Sequence, residues 1–120
     1  MRMAVRSIDV VSNSSFAVIE VRDMGQALSA ATEWSDVQSR NNVSDRIVLL
    51  LDNMGPDKCR MTHESLLNSG LRENCILEGS GGIAKHNLNQ WVGSGADLIS
   101  TSKVNMAAPI LDFSLVVGDL

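Results

Sequence analysis

Four strings in this 120-residue sequence carry the residue types that a site needs. Glu20 stands in an otherwise apolar, β-branched run from Phe16 to Val21, and Asp52-Asn53 closes the run Ile47-Val48-Leu49-Leu50-Leu51. Ser80-Gly81-Gly82 comes shortly after Ile76-Leu77, and Ser100-Thr101-Ser102 follows Leu98-Ile99. An unpaired carboxylate inside an apolar strand is costly, so Glu20 is expected at a polar cavity, a cation or the strand's end. With Asp52 it could hold sugar hydroxyls, hold a divalent cation or face a developing positive charge. The alternative is local: Asp52 caps the next helix and Glu20 faces solvent on a sheet edge. Ser80, Gly81 and Gly82 form the better phosphate candidate, because glycines let backbone N–H groups approach an anion and a following helix start adds a favourable dipole. Glycine-rich turns of this kind also serve tight packing alone.

The elements that must position these residues alternate along the chain. Asn13-Ser14-Ser15 supplies a turn before a strand over 16–21. Met24, Ala27, Leu28, Ala31 and Trp34 then fall at helical spacing, with Asp23 placed to cap the first turn. The stretch 35–46 is polar and aperiodic and reads as a loop into the second strand, 47–51. Gly55-Pro56 signals a helix start and Gly70 a stop, with a weak apolar face between them. A third strand over 75–78 enters the glycine turn, a short helix spans about 85–92, and a fourth strand spans 97–101. The segment 103–111 contains Pro109, and an apolar run from Phe113 to Val117 closes the pattern. Such alternation predicts an α/β fold with a parallel sheet, barrel-type or open and doubly wound. In either case the carboxyl ends of the strands hold the chemistry.

Composition narrows the classes. The chain is 44% hydrophobic and 20% charged with a net charge of −4, which is ordinary for one globular domain and gives no general pull towards nucleic acid or an anionic membrane. No apolar stretch approaches the ~20 residues that span a bilayer, and the first residues lack the apolar region of a signal peptide, so a cytoplasmic location is expected, extending to the nucleus in a eukaryote. Cys59 and Cys75 are too few and too far apart for a zinc framework and read as packing residues. His63 and His86 lie in polar stretches expected on exposed helix faces.

Four longer strings carry a family resemblance: Leu50-Leu51-Asp52-Asn53-Met54, Leu77-Glu78-Gly79-Ser80-Gly81-Gly82-Ile83, Gly95-Ala96-Asp97-Leu98-Ile99-Ser100 and Ala108-Pro109-Ile110-Leu111-Asp112-Phe113-Ser114-Leu115. Their order and spacing resemble the C-terminal part of quinolinate phosphoribosyltransferase, also called nicotinate-nucleotide pyrophosphorylase (carboxylating). Ser100-Thr101-Ser102 is closer to the fungal members than to the bacterial ones. The resemblance implies the C-terminal portion of a TIM-like (β/α) barrel, left incomplete, with a lead-in over 1–15, the catalytic segment over 16–117 and a tail over 118–120. It implies the reaction of quinolinate with phosphoribosyl pyrophosphate to nicotinate mononucleotide, pyrophosphate and carbon dioxide, with Mg²⁺, in NAD biosynthesis. Glu20 and Asp52 would then be the catalytic carboxylates on the ribose and Mg²⁺ side. Asn53, Ser80, Gly81, Gly82, Thr101 and Ser102 would bind substrate and phosphate. Neither nucleic acid nor membrane is implied as a partner, and full-length members form dimers or hexamers.

Departures from the family pattern matter too. Val18 replaces the first glutamate of the family's Glu-Val-Glu strand, and Asn105-Met106 stands where many bacterial members have Thr-His. An insertion falls between Met24 and Ile47 and is placed in the 35–46 loop, away from the active face. Family members are more than twice as long, and the arginine, histidine and lysine cluster that grips quinolinate lies in their earlier part; Arg2 and Arg6 match no such motif. The alternative reading is therefore a truncated, non-catalytic homologue that keeps the phosphate and ribose half of the site and acts by associating with another subunit.

Overall fold

The computed structural model describes residues 16–102. The expected lead-in over 1–15, the Pro109 segment, the 113–117 run, the tail, and Arg2, Arg6, Asn105 and Met106 lie outside the described residues. Elements run β1 (Ala17–Val21), α1 (Met24–Asn41), β2 (Ile47–Asp52), α2 (Gly55–Asn68), a 3-10 turn (Arg72–Asn74), β3 (Cys75–Ser80), a 3-10 helix (Lys85–Trp91) and β4 (Leu98–Ser100). The strands form one parallel sheet in the order β1-β2-β3-β4.

That order decides between the two expected architectures. Strands follow one another across the sheet without a switch of direction, and the alternating burial puts Ile47, Leu49 and Leu51 of β2 and Cys75 and Leu77 of β3 in one core with α1 and α2. A doubly wound sheet is covered on both faces. Here Val18, Glu20 and Leu98 on the opposite face are exposed, so the strands form an arc of a barrel-like α/β fold whose inner face stands open among the described residues.

Local chemistry explains most boundaries. Asp23 caps α1, its carboxylate accepting the Gln26 N–H at 2.8 Å, and the Gln26 side chain in turn accepts the Arg22 N–H at 2.9 Å. α2 begins with Gly55-Pro56 and ends at Gly70, whose φ of 68° is the left-handed stop. Asp52 does not cap it; the cap position is Met54, which has no side-chain acceptor.

The expected loop over 35–46 is the main correction. α1 runs for 18 residues to Asn41, and Val37 continues the buried face of Ala27, Ala30, Ala31 and Trp34. Its polar residues satisfy themselves locally: Ser39 donates to the Ser35 carbonyl and Asn41 to the Val37 carbonyl, while Asn42 takes the left-handed C-cap that glycine usually fills. The Trp34 indole and the Gln38 amide both donate to the Asp45 carbonyl at 2.8 Å and hook the short return onto the helix. The stretch expected to hold an insertion is thus the second half of a helix and its return to the amino end of β2, away from the strand carboxyl ends.

Candidate functional site

The carboxyl ends of β2, β3 and β4 meet around the glycine turn. Ser80, Gly81, Gly82, Ile83, Ser100, Thr101 and Ser102 line a cavity of about 440 Å³. The phosphate candidates of the third and fourth strands thus stand together. Gly81 and Gly82 have φ of 89° and 65°, a backbone region that glycine enters without the cost a side chain would add. Gly81 is required twice over, because a Cβ there would sit 2.8 Å from the Cα of Asn53.

Asn53 belongs to the back of this turn. It too is left-handed, at φ 54°, and its N–H donates to the Ser80 carbonyl at 2.9 Å, tying the end of β2 to the end of β3. The cavity lining does not include it. Thr101 likewise spends its hydroxyl proton on the carbonyl of Ile83, at 2.5 Å, and so anchors β4 to the turn. Asn87 was not legible as a site residue, yet its amide donates to the Gly82 carbonyl and accepts from the Ala84 N–H, both at 2.8 Å. A side-chain amide three residues after an alanine is too common a pattern to flag. The helix expected to start at the glycine turn is a 3-10 helix that begins only at Lys85, so it adds no α-helical N-terminus there.

Strand register places the carboxylates. Across the open face Glu20 is level with Leu50, Glu78 and Leu98, whereas Asp52 is level with Ser80 and Ser100, one side-chain layer nearer the carboxyl edge. Glu20 and Asp52 are therefore not at corresponding strand ends. Continuing β1 by one residue beyond the Val21–Leu51 pair brings Arg22 level with Asp52. Arg22 donates from Nη2 and Nε to Glu20 Oε1 at 3.1 and 3.3 Å, and its Nε lies 3.7 Å from Asp52 Oδ2. Glu20 points neither into the core nor unpaired into water. The two candidate catalytic carboxylates share one guanidinium.

That arrangement bears on Mg²⁺. Among the described residues no three His, Cys, Asp or Glu side chains gather closely enough to hold a metal ion, and the two proposed ligands already face a cation. The donor set as it stands does not fit a dication held by Glu20 and Asp52 alone.

At the amino end of the sheet lies a polar cluster that sequence patterning missed. Arg72 donates to His63 Nδ1 and to the Cys75 carbonyl at 2.9 Å, to the Gly95 carbonyl at 3.1 Å and to Asp97 Oδ2 at 2.8 Å. Asp97 Oδ2 also accepts the Leu77 N–H at 2.8 Å. His63 is accordingly half-buried rather than on a free helix face, while His86 is exposed. Cys59 and Cys75 are buried free thiols; burial raises both, Cys75 to about 11, so neither is a ready nucleophile.

Among the described residues no helix is long and apolar enough to cross a membrane. Compared with known proteins, residues 1–116 match the family described as "Quinolinate phosphoribosyl transferase, C-terminal domain". A probable nicotinate-nucleotide pyrophosphorylase (carboxylating) of Methanothermobacter thermautotrophicus is 34% identical over 94% of this chain and 42% of its own length. The human nicotinate-nucleotide pyrophosphorylase (carboxylating) is 32% identical over 93% of the chain and 34% of its length, and that of Rattus norvegicus 33% identical over 81% and 28%. The chain thus spans less than half the length of these curated relatives.

Proposed function

Because the chain belongs to the quinolinate phosphoribosyl transferase C-terminal domain family, we propose that it supplies the phosphoribosyl half of a site that converts quinolinate and phosphoribosyl pyrophosphate to nicotinate mononucleotide, pyrophosphate and carbon dioxide. The observation that carries this reading is the turn Ser80-Gly81-Gly82 facing Ser100 and Ser102 across one cavity. A monoanionic or dianionic 5′-phosphate fits there, bound by backbone N–H groups and hydroxyls, with Asn53 and Asn87 holding the turn from behind and Thr101 anchoring it from the cavity wall.

The reaction forms a bond from the pyridine nitrogen to ribose C1 while the bond from C1 to pyrophosphate breaks. The ring carboxylate next to that nitrogen leaves as carbon dioxide and its carbon takes up a proton. Positive charge develops at C1 as pyrophosphate departs, and fixed carboxylates on the adjoining face, Glu20 and Asp52, stabilise it. Mg²⁺ enters this reading as the companion of phosphoribosyl pyrophosphate, whose phosphate oxygens are its preferred ligands. Quinolinate recognition falls to chain outside the described residues.

One observation favours a second reading, in which this chain acts only in association. The open inner face exposes Val18 and Leu98 at 46% and 53%, beside the carboxylates, and Phe16 is 68% exposed at the sheet edge. A dimer or larger assembly would cover them.

The deciding experiment pairs two measurements on the purified chain. Ribose 5-phosphate binding by calorimetry is expected for the parent and lost by at least tenfold in Gly81→Val. Carbon dioxide release from quinolinate with phosphoribosyl pyrophosphate and Mg²⁺ tests whether the chain suffices. Release assigns it the whole reaction; binding without release, together with a concentration-dependent melting temperature, assigns it the associating half. Absence of both binding and release removes the reading.

A further inference from the structure

The rim of the open face is built around a cation of its own. Arg22 stands where β1 gives way to α1, and its backbone is fixed by the reciprocal pair in which Asp23 accepts the Gln26 N–H and Gln26 accepts the Arg22 N–H. The turn therefore sets where the guanidinium emerges. It emerges on the layer of Asp52, Ser80 and Ser100, the layer that borders the phosphate turn. Glu20, two residues back on the same face of β1, holds Nε and Nη2, and Asp52 lies against Nε from the neighbouring strand.

We propose that Arg22 is an anion-binding residue of this rim and that its guanidinium, rather than a divalent cation, is the resident counter-charge of Glu20 and Asp52. The ligand class is a diphosphate or phosphate ester, and the inference rests on the reading of the strand ends as a phosphoribosyl site. Three features carry it. A guanidinium has five N–H donors, and among the described residues the Nη1 group of Arg22 has no protein partner, so donors remain for an oxyanion. The side chain is 73% exposed, so the carboxylates orient it without burying it. A magnesium ion needs close to octahedral oxygen coordination and sheds water reluctantly, whereas the two carboxylates are offset by one layer and one strand with the guanidinium between them. Two carboxylates holding one arginine form an orienting clamp: they aim the fork and keep it from collapsing onto the sheet.

Pyrophosphate and Mn²⁺, used separately, test the proposal on the purified chain. Titrated with pyrophosphate in EDTA, the parent is expected to bind, Arg22→Ala to bind at least tenfold more weakly, and Arg22→Lys to fall between them, since lysine keeps the charge and loses the fork. Titrated with Mn²⁺ alone and followed by the electron paramagnetic resonance of the free ion, Arg22→Ala is expected to bind at least fivefold more tightly than the parent, because its carboxylates are released. Equal pyrophosphate affinity of parent and Arg22→Ala overturns the proposal. So does Mn²⁺ binding to the parent as tight as to Arg22→Ala. Failure of the parent to bind pyrophosphate also overturns it, and ribose 5-phosphate binding that is still lost in Gly81→Val then leaves the phosphate-turn reading standing. Arg22→Gln, with circular dichroism of each variant, keeps folding apart from binding.

Discussion

Arg72 and Arg22 both bridge separate elements through a guanidinium, but they do so at opposite ends of the parallel sheet and in different surroundings. Arg72, 12% exposed, makes four hydrogen bonds, to a histidine, two carbonyls and a carboxylate at the amino end, tying α2, β3 and the approach to β4. Arg22, 73% exposed, meets only two carboxylates at the carboxyl end and keeps donors free among the described residues. A cation largely spent on protein acceptors stabilises a fold, and a cation left mostly unspent at the carboxyl edge has donors to offer. The difference matches the division known for barrels, where the amino face carries stability and the carboxyl face function.

The largest expected effect comes from breaking the amino end. Arg72→Ala takes one donor from each of two carbonyls and His63 Nδ1 and leaves the Asp97 Oδ2 with the Leu77 N–H, and should cost about 3 kcal/mol in urea unfolding. A loss under about 1 kcal/mol would sink the claim that this cluster is structural.

A second measurement uses the thiol beside that cluster. The Cys75 thiol ionises near 9.0 in the unfolded chain and is held protonated to about 11 by burial in the fold. The folded state then binds the extra proton, so stability is intact below about pH 9 and falls as pH rises towards 11, by up to roughly 2 kcal/mol. Cys75→Ala should show a shallower decline over the same window; an unchanged slope would refute the assignment.

Gly79 offers a test on the helix side of the site strand. A Cβ there would run into the six-membered ring of Trp91, so Gly79→Ala should cost about 2 kcal/mol by overpacking and should lower the thermal midpoint. Little change would mean that Trp91 can withdraw without loss.

The smallest stability effect belongs to Arg22. Its ion pairs are exposed and screened, so Arg22→Ala should change unfolding free energy by less than about 0.5 kcal/mol while anion affinity drops. A loss as large as that of Arg72→Ala would erase the distinction between the two ends.

Much of the site was legible because the residues that build it announce themselves locally. Gly81 and Gly82 could be read as a backbone turn, and Asp23, Pro56 and Gly70 as helix punctuation, since each imposes a conformation on its own few residues. The second half of α1 was hidden by composition: Ser35 to Asn41 is polar because it lies on the surface, with Val37 alone carrying the buried face onward. Thr101 and Asn53, expected at the ligand, each also tie two elements together, a second role that depends on which carbonyl happens to lie within reach.

The alternation of strands and helices, the glycine turn and the family can all be read from the residues in order. These depend on residue type and short-range spacing, which the chain states directly. That Asp52 stands level with Arg22 and not with Glu20, and that His63, Arg72 and Asp97 close one cluster, follows from the folded chain alone. Register between strands, and contacts between residues distant along the chain, are fixed by how the helices pack on one face of the sheet. No local spacing records that choice.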